Sequence, residues 1–156
     1  MDSLEVNENE LRGSLKLDSL PDTLAHFEAE ENKFSGSVDL TRLPVGLVLL
    51  DVEINSLSGS VVLTELPNCL EELTLSNNEF SGCLDLTRLP SSISSLRVNE
   101  NAFSGTVDLN QLPQGLVELN RFDLSVNELS GEVFIPDALF DAVEVENTKL
   151  IKRHMK

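Results

Sequence analysis

Few side chains in this chain are placed to do chemistry. The two histidines are His26 and His154. His26 precedes Glu28 by two residues, so in an extended segment both side chains point to one side. An imidazole beside a carboxylate can relay a proton, but only to a nucleophile or substrate held next to it. No Ser or Cys lies in the elbow motif that activates such a nucleophile. The glycines recur at a fixed interval instead of gathering into a phosphate-binding loop. Cys69 and Cys83 are too few for a disulfide framework and have no metal-site spacing, so they read as reduced small residues. Glu28, Glu30, Asp51 and Glu53 could stand side by side on neighbouring strands roughly 4.8 Å apart, and oxygen ligands of that kind hold Ca²⁺ weakly. No calcium-loop motif accompanies them. No catalytic residue, metal or cofactor is therefore assigned. What remains for such a crowd of carboxylates is to steer positive charge or to keep the protein soluble.

The bulk composition points the same way. The chain has 156 residues, enough for one domain with a real core, and 40% of them are hydrophobic. Aromatics make up 4% and all are Phe, so the core is aliphatic. A formal charge of -16, from 11 basic and 27 acidic residues, excludes a nucleic-acid partner and an anionic membrane surface. It suits a basic protein partner. No apolar run reaches the roughly 20 residues of a membrane span. The start at Met1 has no signal-peptide character, and no Asn-x-Ser/Thr sequon occurs. A cytoplasmic location is the expectation.

The elements that must position these acids are legible from periodicity. Asn9, Asn32, Asn55, Asn78 and Asn101 follow one another at 23 residues, and Asn127 follows after 26. A glycine stands four residues after each: Gly13, Gly36, Gly59, Gly82, Gly105 and Gly131. The unit reads L-x-x-L-x-L-x-x-N-x-F/L-S-G-x-V-x-L-x-x-L-P-x-x, clearest from Leu70 to Pro90. Leu73 and Leu75 are two apart, so they share one face of a short strand while Thr74 takes the other. A single strand cannot bury its leucines, so stacked coils must make a parallel sheet and one continuous core. The Asn amide can satisfy turn backbone of its own and neighbouring coils, which makes Asn9, Asn32, Asn55, Asn78, Asn101 and Asn127 a structural ladder. Glycine at the fourth position suits positive φ or close approach of the next coil. The return segment carries Asp18, Thr41, Thr64, Thr87 or Asn110, all helix N-cap types, followed by Leu-Pro, which prevents a full helix.

The unit resembles the leucine-rich repeat, whose L-x-x-L-x-L-x-x-N-x-L core it matches at nearly every fixed position from Met1 to about Gly131. The Ser-Gly pair is similar to the plant-type repeat, and V-D-L-T-x-L-P, as at Val38–Pro44 and Leu84–Pro90, to repeats of trypanosomatid and other protist proteins. The resemblance implies an α/β-type solenoid, a right-handed superhelix. Its parallel sheet would lie on the concave side, with extended and 3₁₀ segments on the convex side. One solenoid domain is expected over residues 1–148. It comprises six repeats to about 131 and a degenerate capping half-repeat over 132–148, in which Val143 and Val145 form a last edge strand. Residues 149–156, with Lys149, Lys152, Arg153 and Lys156, read as a solvated basic tail. Three extra residues before Asn127 predict a bulge or loop between Leu116 and Phe122.

In this fold the outward strand positions form the usual binding face. Here they hold Glu28, Glu30, Glu31, Asp51, Glu53 and Glu72, with Arg97, Lys33 and Arg121 as the bases. Leu49 and Ile54 place two aliphatics among the acids as an apolar anchor. The expected function is a non-catalytic protein-interaction module or scaffold that binds a basic partner. The alternatives are a repeat fragment regulating an enzyme within a larger protein, and a surface recognition protein. The N-terminal edge shows no cap, so self-association through it is a further expectation.

Overall fold

A computed structural model of the chain describes residues 2–113, Leu116 and 122–155. Each coil supplies one short strand to each of two seven-stranded parallel sheets. The first sheet runs in chain order through β1 (Asp2–Glu5), β3 (Leu24–Glu28), β5 (Leu49–Asp51), β7 (Glu72–Thr74), β9 (Ser95–Arg97), β11 (Phe122–Asp123) and β13 (Val143–Glu144). The second runs through β2 (Arg12–Gly13), β4 (Lys33–Gly36), β6 (Ser56–Gly59), β8 (Glu79–Gly82), β10 (Ala102–Gly105), β12 (Glu128–Ile135) and β14 (Lys149–His154).

The core is the space between the sheets. In-register Leu50, Leu73, Leu96 and Phe122 stack from the first sheet, all fully buried. From the second sheet the residue two after Asn32, Asn55, Asn78, Asn101 and Asn127 turns inward, as Phe34, Leu57, Phe80, Phe103 and Leu129, whereas Leu11 in the first coil is exposed. The Phe80 and Phe103 rings stack at 6.1 Å and 13°. The second sheet is absent from the expectation above. It follows from the same stacking: identical coils bring their x-F/L-S-G segments to one height, and an alternating segment with its neighbour 23 residues away pairs as readily as L-x-L does.

The asparagines close the corner between the sheets. Asn78 Nδ2 donates to the carbonyls of Leu75 (3.2 Å) and Ser76 (3.1 Å) in its own coil and of Val52 (3.0 Å) in the preceding one. Its Oδ1 accepts the Leu57 N–H at 2.9 Å. Asn32, Asn55, Asn101 and Asn127 repeat the pattern. Among the described residues the Asn9 side chain bonds only within its own coil, to the carbonyls of Val6 and Asn7, while its N–H reaches Glu31 O at 3.2 Å. The residue before each Asn is left-handed, and so is the glycine four after it. At Gly131, with φ +99, an added Cβ would also lie 2.9 Å from Thr106 Cγ2.

Three expectations need correction. First, no α-helix occurs among the described residues; three-residue 3₁₀ turns stand at Leu17–Ser19 and Asp137–Leu139, so the label α/β does not fit. The return segment is built of side-chain turns. Asp39 accepts the amide (2.9 Å) and the hydroxyl (2.5 Å) of Thr41, and Asp85 does the same with Thr87. These threonines serve a turn aspartate and cap no helix, since the Leu-Pro that follows bends the chain through Leu47 N–H to Pro44 O, 3.1 Å. Second, residues 132–148 are not a half-repeat. They build most of a seventh coil, with Asn147 left-handed and Thr148 at the ladder position. Third, Lys149–His154 is not a tail. It forms β14, paired with β12 from Ser130↔Lys149 to Ile135↔His154. Leu150 is buried, the His154 ring stacks on Phe140 at 3.8 Å, and Arg153 meets Glu132 at 3.1 Å. Alternation of Leu150 with charged neighbours is a strand pattern that the density of Lys and Arg disguises. The predicted bulge between Leu116 and Phe122, Arg121 and Met1 lie outside the described residues.

Candidate functional site: the outward face of the first sheet

Parallel register sorts the outward residues into rows that cross the strands. The first row holds Ser3, His26, Leu49, Glu72 and Ser95. The second holds Glu5, Glu28, Asp51, Thr74, Arg97, Asp123 and Glu144. Two residues further along each coil come Asn7, Glu30, Glu53, Ser76, Asn99, Ser125 and Glu146. The left-handed residues form the fourth row: Glu8, Glu31, Ile54, Asn77, Glu100, Val126 and Asn147.

Carboxylates dominate the second and third rows in the first three coils. Burial pushes the Glu28 carboxyl up, and the charges of Glu30 and Glu5 push it further. Asp51 is half-buried and is pushed up to about 7. Burial is the main cause; the Glu53 N–H, donating at 3.0 Å, opposes it, while the carboxylates of Glu53, Glu30 and Glu28 add to it. Glu30 Oε1 accepts from Asn7 Nδ2 at 3.1 Å. Its Oε2 is shut from solvent and has no hydrogen-bond partner among the described residues.

The later coils treat the same rows differently. Ser76 donates its hydroxyl to Asn99 Oδ1 at 2.5 Å, and both are buried. Asp123 accepts the amide of Ser125 at 2.9 Å and also its hydroxyl. Arg97 lies between Thr74 and Asp123. Glu144 is raised by burial first and then by Asp123 and Glu146, with Arg97 and Lys152 opposing.

The predicted residues therefore divide. Glu28, Glu30, Asp51 and Glu53 come together on adjacent strands, and Glu31 lies beside Ile54 in the fourth row, exposed. Glu72 flanks Leu49 in the first row, whereas Arg97 stands two strands from Asp51 in the second. Leu49 and Ile54 do not form a joined apolar anchor: they occupy the first and fourth rows, with Asp51 and Glu53 between them. Val126 carries the same feature as Ile54, an exposed branched side chain at positive φ, and was not singled out from the sequence. Glu144 and Glu146 extend the rows into the seventh coil, which the repeat pattern did not reveal.

Among the described residues no three His, Cys, Asp or Glu side chains converge as metal ligands do. Cys69 and Cys83 are free and exposed. No described helix is long and apolar enough to cross a membrane. A hollow of about 670 Å³ lies off this face at the contact of the last coils, lined by Ser104, Asn127, Glu128, Asn147, Thr148 and Lys149.

No protein-family model and no curated protein matches the sequence. Solved structures do match the fold. The Arabidopsis receptor kinase HAESA, solved with the peptide hormone IDA and the co-receptor SERK1, superposes over 96% of this chain at a TM-score of 0.66 and 23% identity. The plant peptide hormone receptor RGFR1, solved with RGF2, covers 97% of it at a TM-score of 0.51 and 25% identity. This chain spans 30% of the first of these chains and 28% of the second. With the Asn ladder, the 23-residue unit and the stacked parallel strands, that likeness gives this chain the leucine-rich-repeat fold.

Proposed function

We propose that the chain is a non-catalytic protein-interaction module and that the outward face of its first sheet takes a basic segment of a partner. The observation that carries this reading is Asp51. Folding holds its carboxyl half-buried beside Glu28, Glu30 and Glu53 and raises it to about 7, an arrangement that disfavours the folded state increasingly as pH rises from about 4 to 7. A cation laid over these rows would relieve the repulsion. HAESA was solved with the peptide hormone IDA and the co-receptor SERK1, and RGFR1 with RGF2, which supports a module of this kind. In this reading the strand face is the concave side of a right-handed coil, as the leucine-rich-repeat resemblance implies, and the acids steer the encounter.

The share of the neighbours that the chain spans favours a second reading for the whole protein, as the recognition or regulatory part of something larger. Self-association would use β1, whose residues are all exposed at the sheet edge. Sedimentation velocity tests it: a monomer at every concentration dismisses that idea.

The test of the main reading is a labelled peptide of alternating Lys and Ser, followed by fluorescence polarisation. It is titrated with the wild-type chain and with a variant carrying Glu28, Glu30, Glu31, Asp51 and Glu53 changed to Ser. Binding to the wild type that weakens with salt and is lost on the variant is expected. Equal binding to both proteins refutes the acidic face as the working surface.

A further inference from the structure

The fourth row breaks its own rule twice. Its residues all have φ between +51 and +57. Asn tolerates this region well, and unbranched Glu tolerates it better than a β-branched residue does. Ile54 and Val126 sit there nonetheless. Backbone bonds hold both in place: Ile54 N–H to Ser76 O at 3.0 Å, and Val126 N–H to Glu146 O at 2.8 Å. Neither side chain repays the strain by entering the core, for Ile54 is 44% and Val126 43% exposed. A strained, exposed, branched side chain at two points of one row is a reason to look for a ligand.

The two positions are three coils apart. The bonds Ile54 N–H to Ser76 O, Asn77 N–H to Asn99 O and Glu100 N–H to Ser125 O keep the intervening coils at strand spacing. Three steps of roughly 4.8 Å make about 14 Å. An extended peptide advances about 3.4 Å per residue, so four residues cover the same distance, and residues i, i+2 and i+4 point to one side. The residue at i+2 then falls between Asn77 and Glu100. Glu31, Glu53 and Glu100 flank the line on the protein.

The geometry points to a docking line for an extended segment of a basic partner that crosses the coils. The segment would carry aliphatic side chains at i and i+4, seated on Ile54 and Val126, and a Lys or Arg at i+2 facing Glu100. This deepens the proposed function and rests on it for the sign of the partner's charge.

Two labelled peptides test it, alike in composition. One places leucines at i and i+4 with Lys at i+2; the other moves the second leucine to i+3. Each is titrated with the full chain, with the Ile54→Asn/Val126→Asn double variant, and with the five-acid variant above. Asn already occupies this row at Asn77 and Asn147, so the double variant should fold at least as well, with its unfolding midpoint raised by roughly 2–4 °C per site. The matched peptide should bind the wild type roughly ten-fold tighter than the shifted one, the effect of one aliphatic contact, and the double variant should erase that preference. Equal binding of the two peptides overturns the docking line, as does a preference that survives the double variant. If both peptides bind equally and the five-acid variant loses both, the basic-partner reading stands and the docking line alone falls. If neither peptide binds, both fall.

Discussion

Changing Asp51 to Asn should stabilise this protein at pH 8 and do little at pH 3.5. The carboxyl rises from 3.8 to about 7 on folding. At 1.36 kcal/mol per unit that shift corresponds to about 4 kcal/mol. Asp51 is only half-buried, and water screens what it still reaches, so about 2 kcal/mol is the reasonable expectation. The sign follows from linkage. Between about pH 4 and pH 7 the folded state keeps a proton that the unfolded state releases, so stability falls as pH rises through that window and levels off above it. Asn removes the charge and keeps an Oδ1 for the Glu53 N–H, now at 3.0 Å. The gain should therefore be near zero at pH 3.5 and reach its full value at pH 8.

The assay is thermal unfolding of both proteins at the two pH values, followed by far-ultraviolet circular dichroism. About 2 kcal/mol in a chain of this size is a midpoint shift of roughly 4–8 °C. The difference between the two shifts isolates ionisation from packing, because any loss of packing is present at both pH values. A variant equally stabilised at both would show that the charge is not what disfavours the fold. A variant destabilised at pH 8 would refute the account of the crowded rows altogether.

Asp39 provides the opposite sign. The Thr41 hydroxyl, followed by its amide, holds that carboxyl below the usual range, so Asp39→Asn should destabilise at neutral pH and lose its effect as pH falls through the folded pKa, read by the same melts. Asn78→Leu removes four hydrogen bonds at the corner of the sheets and should cost about 3 kcal/mol or more in urea unfolding; a loss below about 1 kcal/mol would mean water replaces the amide freely. Thr148 donates to Val145 O at 2.5 Å and accepts from Leu150 N–H at 3.2 Å, both within its own coil. Thr148→Asn should restore the bonds to the sixth coil, add about 1 kcal/mol and slow amide exchange in β14. Gly131→Ala meets both positive φ and Thr106, whereas Gly36→Ala meets positive φ in open space; the first should cost more, by about 1 kcal/mol or above, and equal costs would remove the steric part of the explanation.

The sequence showed the solenoid because its signals repeat. Asn78 and Gly82 mean little alone, but the same pair every 23 residues fixes the coil, the ladder and the inward leucines. What repeats less clearly was lost. The seventh coil has Thr148 for Asn, and its second strand reads as a basic tail because Lys149, Lys152 and Arg153 surround Leu150. The second sheet was hidden because the strand in each x-F-S-G is only about four residues long, too short for an alternation to stand out. Acid crowding at Glu28 and Asp51 was legible, since register in a stacked repeat follows from the period. That Leu49 and Ile54 stand apart was not, because their separation depends on which row turns left-handed, and Asn and Glu in the other coils disguise that requirement.

A repeat protein also carries its own reference for what stability alone requires. The fourth coil has Thr74, Ser76 and Asn77 where the third has Asp51, Glu53 and Ile54, on the same backbone and with the same ladder. Two independent strains thus meet in one coil: electrostatic at Asp51 and conformational at Ile54. Replacing Ile54 by Asn should return about 1 kcal/mol at any pH, since φ does not titrate. Replacing Asp51 by Asn should return nothing below about pH 4, rising to about 2 kcal/mol by pH 7 and above. The residues stand in different rows with Glu53 between them, so the gains should add within about 0.5 kcal/mol. Melts of the two single variants and the double variant at both pH values decide it. If the double variant gains no more than the better single one, the two strains are one, and the case for two separate ligand contacts on the third coil collapses with it.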